Sequence, residues 1–327
     1  MTDSHPDDDN DLQQRAEVPE EMDGMRLDVA CAKLFPDYSR SRLQAWIDAG
    51  RLRVDGEVVT RQREPVKAGA RLLLDAEAEE DYRVGPQDIP ITVLHADKDI
   101  VVLNKAAGLT VHPGAGQSDG TLQNAILYHY PQAASVPRAG IVHRLDKQTS
   151  GLMVVALNLK AHTKLVAELQ AREIRREYDT LVQGELIAGG MIDAPIGRHP
   201  RDRLRMAVTD HGGRDAVTHY RIEERYSQFT RLRVQLETGR THQIRVHLAH
   251  IRYPIVGDPV YGGSLRGSGL DPELRDALRG FSRQALHARA LELTHPGKGK
   301  RQSWSAEPPE DMQALYALLR RHAAYKV

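Results

Sequence analysis

The hydrophobic pattern of this chain changes character once, across residues 76–90, and that change limits it to two separately folded parts. Before it, Leu27, Ala30, Cys31, Leu34 and Phe35 recur at helical spacing, and so do Leu43, Trp46, Ile47 and Ala49. Ser39 is placed to cap the second helix and Gly50 to close it. Leu52 to Val59 then alternates around Asp55-Gly56, a β-hairpin signature. The segment 76–90 carries Glu77, Glu79, Glu80 and Asp81 ahead of Gly85-Pro86 and reads as an acidic linker. After it, strands are expected over 91–95, 100–104, 151–156, 178–183, 216–222 and 231–237, with helices over 121–130, 159–172 and 241–250. Strands outnumber helices, and tight turns separate many of them. The expectation is an α+β fold: a mixed, mainly antiparallel sheet with packed helices, over 91–327, preceded by a small domain over 25–75.

A length of 327 residues leaves room for a core in each part. The longest apolar stretches, such as Ile100 to Leu103, fall far short of the ~20 residues a membrane helix needs. No basic-then-apolar signal segment opens the chain, so a cytoplasmic protein is expected, with no membrane partner. The single cysteine, Cys31, excludes an intramolecular disulfide framework and a zinc site of several cysteines. Its place in a helical apolar pattern reads as core.

Formal charge is balanced, with 45 bases against 45 acids, but unevenly distributed. Residues 1–24 hold nine acids and one base, which leaves 44 bases against 36 acids for the rest. The first 24 residues therefore read as a disordered acidic arm. The arginine-rich remainder suits a polyanionic partner.

Several features carry no chemistry on inspection. Gly114-Ala115-Gly116 lacks the ending of a phosphate loop. His242, His247 and His250 lack zincin spacing, so no metal site is expected. Ser150 lacks a nucleophile elbow, and Asp258 reads as a turn residue. The segment Gly140 to Ala156 is different: an apolar pair leads into a polar loop, and a buried-looking strand leaves it. Such a loop holds the Asp146 carboxylate on a rigid scaffold, with Arg144 two residues away and able to reach a phosphate or fill a base-sized gap. From the residues alone, a loop salt bridge explains it equally well.

His143-Arg144-Leu145-Asp146, followed by Thr149-Ser150-Gly151, resembles the catalytic motif of the RluA-type pseudouridine synthases. Asn104-Lys105 through Pro113 resembles the family's opening strand and loop, and Arg176-Glu177-Tyr178 its tyrosine motif. Thr238 through Leu248 resembles its arginine motif. The two helices and hairpin of 25–75 are similar to an S4 RNA-binding domain, with Arg40, Arg42, Arg51 and Arg53 on the solvated face. The resemblance spans about 25–320, with Ala106, Gln148 and Thr180 as departures that remove no reacting group.

The resemblance implies isomerisation of uridine to pseudouridine without cofactor or metal. The implied substrate is ribosomal RNA of the large subunit or its assembly precursor, with no obligate protein partner. The target base must leave its stack. Asp146 would attack C1′ or remove the C2′ proton, Arg245 would pair with Asp146, and Tyr178 would stack on uracil and relay a proton. Arg144 would fill the gap left by the flipped nucleotide. Arg240, His242 and Gln243 would line the groove, while Arg198 and Arg203 would grip the backbone. Two other classes stay in view: a catalytically silent ribosome-binding or assembly factor, and a base-removing glycosidase, which would need a second carboxylate.

Overall fold

The computed structural model describes residues 13–35, 40–75, 84–114, 117–202, 205–210, 212–265 and 269–325. The chain divides into two units between Arg83 and Val84.

The first unit comprises β1 (Gln13–Glu17), α1 (Leu27–Leu34), α2 (Arg40–Asp48), β2 (Leu52–Val54), β3 (Glu57–Val58) and β4 (Arg71–Asp75). Its strands form an antiparallel sheet in the order β1-β4-β2-β3. Asp55 and Gly56 join β2 to β3 with φ of 51° and 90°, the left-handed pair a two-residue hairpin requires. Leu27, Ala30 and Cys31 of α1 and Leu43 and Ile47 of α2 pack on Leu52, Leu72 and Leu74 of the sheet. Burial pushes the Cys31 thiol up to about 12, as befits a core residue. Ser39, expected to cap α2, lies outside the described residues.

Two boundaries differ from the expected ones. Residues 13–17 are not part of a disordered arm: β1 pairs with β4 from Gln13↔Asp75 to Glu17↔Arg71, and Val18 is buried behind it. An edge strand needs only its backbone to pair, so the polar run Gln-Gln-Arg-Ala-Glu gave no apolar signal. Residues 1–12 lie outside the described residues. Likewise, residues 84–90 are not a free linker. The Asn124 side chain donates to the Gly85 carbonyl at 2.8 Å, and the Gln87 side chain accepts from the Gly120 amide at 2.8 Å. Polar side chains of the second unit thus hold this stretch against it; residues 76–83 are not described.

The second unit opens with β5 (Thr92–Ala96), β6 (Ile100–Lys105), α3 (Leu122–His129), β7 (Ser150–Ala156), α4 (Leu159–Gln170) and β8 (Arg175–Gln183). It continues through β9 (Gly190–Asp193), β10 (Ile196–Arg198), β11 (Met206–Val208), β12 (Val217–Tyr226), β13 (Phe229–Leu236) and α5 (Gln243–His250). It ends with α6 (Pro272–Gly280), β14 (Leu286–Thr294), β15 (Arg301–Ser305) and α7 (Glu310–His322). Nine strands form one sheet in the order β5-β6-β7-β14-β8-β13-β12-β9, with β15 paired to β14. Its one parallel pair among the described residues is β7 with β14, so the sheet is mixed and mainly antiparallel. β10 and β11 form a separate ribbon.

The sheet is covered on both faces, which is why β6 reads as an unbroken apolar run. Val101 and Leu103 point into a core shared with α3, α5, α6 and α7, whereas Ile100 and Val102 point to the opposite face with Ala161 and Leu165 of α4. At the β7–β14 crossing, Gly151 lies opposite Ala288, and a Cβ on Gly151 would fall 2.3 Å from the Ala288 oxygen. Only glycine allows that approach, and it sets the strand that follows Asp146 into the centre of the sheet.

Candidate active site

The loop 142–149 leaves the sheet where Ile141 bridges Val155 and returns to it as β7. The His143 ring accepts the Val154 amide at 3.1 Å, the Thr149 amide donates to the Asp146 carbonyl at 3.0 Å, and Leu145 is buried beneath. Lys105, at the end of β6, donates to the carbonyls of Ala106, Leu109 and Lys147 at 2.8, 2.8 and 3.1 Å. Burial draws the Lys105 ammonium down to about 7 against the opposing pull of Asp146. One buried lysine thus fastens two loops together beneath Asp146.

Arg245 meets that loop from α5. Its NH1 donates to Asp146 Oδ2 at 2.9 Å, while Nε and NH2 donate to the two oxygens of Asp258 at 2.7 and 2.9 Å. Asp258 also accepts the amides of Val260 and Tyr261. Burial opposes the charge on Arg245, but the hydrogen bonds and charge of Asp258, with those of Asp146 behind them, more than offset it and raise its pKa. Burial likewise opposes the Asp258 carboxylate, and its hydrogen bonds from Arg245 and two backbone amides outweigh that and lower its pKa. The Asp258 side chain has no exposure and that of Arg245 has 5%, whereas Asp146 keeps 20%. Of the three charged groups, Asp146 is the one a solute can reach.

Tyr178, on β8, is buried beside this trio, and its hydroxyl makes no hydrogen bond to a described residue. Burial raises its pKa and the Arg176 guanidinium opposes that rise. His242 precedes α5 in a left-handed conformation, φ 58°, with Nε2 3.9 Å from Asp146. Its Nδ1 lies 2.9 Å from the Tyr261 hydroxyl, which already accepts the Met206 amide. Burial, reinforced by Arg245, lowers the His242 pKa in spite of Asp146. Asp146, Tyr178, His242 and Arg245 line a cavity of about 580 Å³.

The sequence profile described as RNA pseudouridylate synthase matches residues 99–250, and that of the S4 domain matches 25–72. The Ribosomal large subunit pseudouridine synthase D of Pseudomonas aeruginosa is 57% identical over 311 residues, 95% of this chain and 97% of that protein. The chain belongs to the RNA pseudouridylate synthase family. A protein of the same name from Xanthomonas campestris pv. campestris is 53% identical to this synthase over 97% of the chain and 95% of its own length. Among solved structures, Human RNA Pseudouridylate Synthase Domain Containing 4 superimposes with a TM-score of 0.55 at 24% identity, covering 70% of the synthase and 93% of that chain, which shows a shared fold.

Asp146, Tyr178, Arg245, Arg144, Arg240, His242 and Gln243 all line this cavity of the synthase. Arg144 is exposed at its mouth, and Arg240 is half-buried, its Nε donating to the Asp215 carbonyl at 2.9 Å. Gln243 departs from the expectation that it meets RNA. Its amide accepts from Thr238 Oγ1 and the Arg240 amide and donates to the Val217 carbonyl and Thr218 Oγ1. With every polar site of that amide engaged, Gln243 shapes the 238–240 loop and has nothing left for a ligand. Arg198 ends β10 away from the cavity lining, and Arg203 lies outside the described residues.

In the first unit, Arg40 is tied to a buried acid: Asp28 accepts from Arg40 and Gln44 at 2.7 and 2.8 Å, and also from Arg26. Arg51 is half-buried, Arg53 is exposed and reaches the Gly56 carbonyl, and the side chain of Arg42 is not described.

Sequence reasoning passed over Lys105, Asp258, Arg176 and Tyr261 as site residues. Asp258 does make the turn expected of it, but its pairing with Arg245 had no local signal. Two side-chain groups outside the cavity bring metal-ligating atoms together among the described residues. In His95–Asp97–His295, His295 Nδ1 accepts the Gly297 and Lys298 amides while Nε2 serves Asp97, and the Lys298 ammonium lies 3.0 Å from the same carboxylate. In Asp271–Glu273–His322, Glu273 is bound by His322 at 2.9 Å and by Arg321 at 3.7 Å. Both groups are satisfied as ion pairs.

Proposed function

We propose that this synthase converts uridines of large-subunit ribosomal RNA, or of its assembly precursor, to pseudouridine, in the cytoplasm and without an obligate protein partner. The observation that carries the chemistry is Asp146: a partly exposed carboxylate held on one oxygen by a buried arginine, beside a buried tyrosine whose hydroxyl bonds to no described residue. The near full-length identity to proteins named for the ribosomal large subunit supports the substrate.

In this reading the nucleotide is flipped into the cavity, where the N1–C1′ bond breaks, the uracil turns and C5 bonds to C1′. The C5 hydrogen leaves as a proton and N1 gains one, so no net electron transfer occurs. Asp146 presents its free oxygen to the sugar, either as nucleophile at C1′ or as base at C2′. Arg245 fixes the other oxygen, so the carboxylate meets the sugar in one orientation. Tyr178 offers a flat face to uracil and a hydroxyl for the C5 proton. Arg144 stands at the mouth, where the vacated stack would be filled.

A glycosidase would need a second working carboxylate. Glu237, on the cavity lining, is engaged by His219 and Arg172 at 2.6 and 3.3 Å, and the buried Asp258 by Arg245. The test is an unmodified large-subunit ribosomal RNA transcript, labelled with tritium at C5 of uridine. Tritium release with mapped pseudouridine is the expected result. An abasic product, or binding with unchanged uridine, would overturn the proposal.

A further inference from the structure

Arg176 is the buried cation of the cavity for which the chemistry above has no task. It stands two residues before Tyr178 on β8, so both side chains share one face of the strand, roughly 6–7 Å apart along it. It lines the cavity and is 9% exposed. Its Nε is buried with no hydrogen-bond partner, and no described residue forms an ion pair with its guanidinium.

Neighbouring arginines, by contrast, are ion-paired. Arg231 is paired with Asp179, Arg233 with Glu177, Arg172 with Glu237, and Arg245 with two aspartates. Glu177 lies on the other face of β8, Glu237 is engaged by Arg172 and His219, and Asp146 is paired with Arg245, so among the described residues no carboxylate pairs with Arg176. The loop opposite makes room for the group: a Cβ on Gly239 would lie 2.8 Å from Arg176 NH1. A buried cation without a counter-charge burdens the free protein, so its place is explained by an anion that arrives with the substrate.

We infer that Arg176 is a phosphate-binding residue, receiving a backbone phosphate of the substrate strand next to the nucleotide held between Tyr178 and Asp146. The inference rests on the reading of the cavity as a site for uridine in RNA. A phosphate supplies the full charge that a neutral uracil lacks, and the planar guanidinium matches two of its oxygens at once. Arg138 and Arg144, exposed on the same lining, continue the positive track outward along a strand.

The test compares the full-length protein with Arg176→Gln and Arg176→Lys, using the unmodified large-subunit transcript. Measurements are filter binding across a range of salt, single-turnover tritium release at saturating RNA, and thermal unfolding. Arg176→Gln is expected to weaken binding by about tenfold or more. Its plot of log affinity against log salt should be shallower by about 0.7. The loss should fall mainly on Kd rather than on the saturating rate, with Tm unchanged or raised because a buried unpaired charge is gone. Arg176→Lys should keep the salt slope and lose part of the affinity.

Unchanged affinity and slope in Arg176→Gln would overturn the inference. So would a collapse of the saturating rate with slope intact, which would assign the guanidinium to uracil. A lowered Tm with slope intact would make it a structural residue. Should the wild-type protein leave uridine in the transcript unchanged, the substrate reading fails by itself. The slope comparison on a random-sequence RNA containing uridine then still decides the role of Arg176, because phosphate contacts carry no sequence information.

Discussion

Asp258 holds Arg245 by two hydrogen bonds, at 2.7 and 2.9 Å, and leaves it a single amino group, NH1, with which to grip Asp146. The direction of the Asp146 carboxylate is thus set by a fully buried residue 13 positions beyond the arginine.

Removing that second carboxylate should separate stability from orientation. Asp258→Ala leaves a buried arginine half-paired and is expected to destabilise the protein by roughly 3–5 kcal/mol. Asp258→Asn, which can still accept one hydrogen bond, should fold. Its single-turnover rate should fall by about 10²-fold, as for a misplaced reacting group, with much less effect on RNA affinity. Denaturant melts and rates on the two variants check this, and a wild-type rate in Asp258→Asn would contradict it.

Asp146→Asn is expected to abolish tritium release while RNA binding survives, since the side chain keeps its shape and loses only its charge. Release above a trace of the wild-type rate would show that the carboxylate is structural.

Tyr178→Phe tests the hydroxyl. Stacking should persist and binding with it, while the rate should drop by about tenfold or more, or some 1.4 kcal/mol in the barrier. A rate within about twofold of wild type would confine Tyr178 to stacking.

The first unit carries its own acid sensitivity. Burial would raise the pKa of Asp28, but hydrogen bonds from Arg40, Gln44 and Arg26 prevail and lower it from 3.8 to about 2. A carboxylate with a depressed folded pKa contributes stability in full above its unfolded pKa and loses it as pH falls through the folded one. The contribution of Asp28 should therefore be intact above about pH 4 and disappear between there and about pH 2. Asp28→Asn should be less stable at neutral pH and show a flatter acid limb in that window. Trp46 is the tryptophan of this unit, so its fluorescence in a Trp304→Phe chain reports the transition. Parallel acid limbs would refute the assignment.

Deleting residues 1–83 should leave a folded second unit, because its strands and helices close cores of their own. Affinity for the ribosomal transcript and the salt slope should fall more than the rate at saturating RNA. An unchanged slope would remove Arg51 and Arg53 from the RNA-binding surface.

What could be read from residues, and what could not, divides along the range of the interaction. Asp146, Tyr178 and Arg245 were singled out because each lies in a short segment that resembles a family motif, and the structure brings all three to one cavity. Asp258 was not, since its bond to Arg245 exists only once α5 and the turn at 258–261 are packed. Gln243 misled because a polar residue at a helix start looks the same whether its amide faces a ligand or its own loop. The strand β6 was visible as an apolar run, whereas β1 was hidden by a composition that its edge position permits. The helix α7 was overlooked although Met312, Leu315 and Leu319 follow a helical period, and β14 because His287 and Arg289 interrupt its apolar residues.

The parallel pairing of β7 with β14 has a consequence for the life of the chain during synthesis. The loop bearing Asp146 is seated in part by a strand whose parallel neighbour ends at Thr294, so a nascent chain cannot complete that seat until almost the whole protein has been made. At ~5–20 residues per second, the delay between the emergence of Asp146 and that of its seat is roughly 7–30 s. The first unit is complete by Asp75 and is free to fold throughout that interval. A newborn molecule therefore has its RNA-gripping module well before it has a reaction to perform.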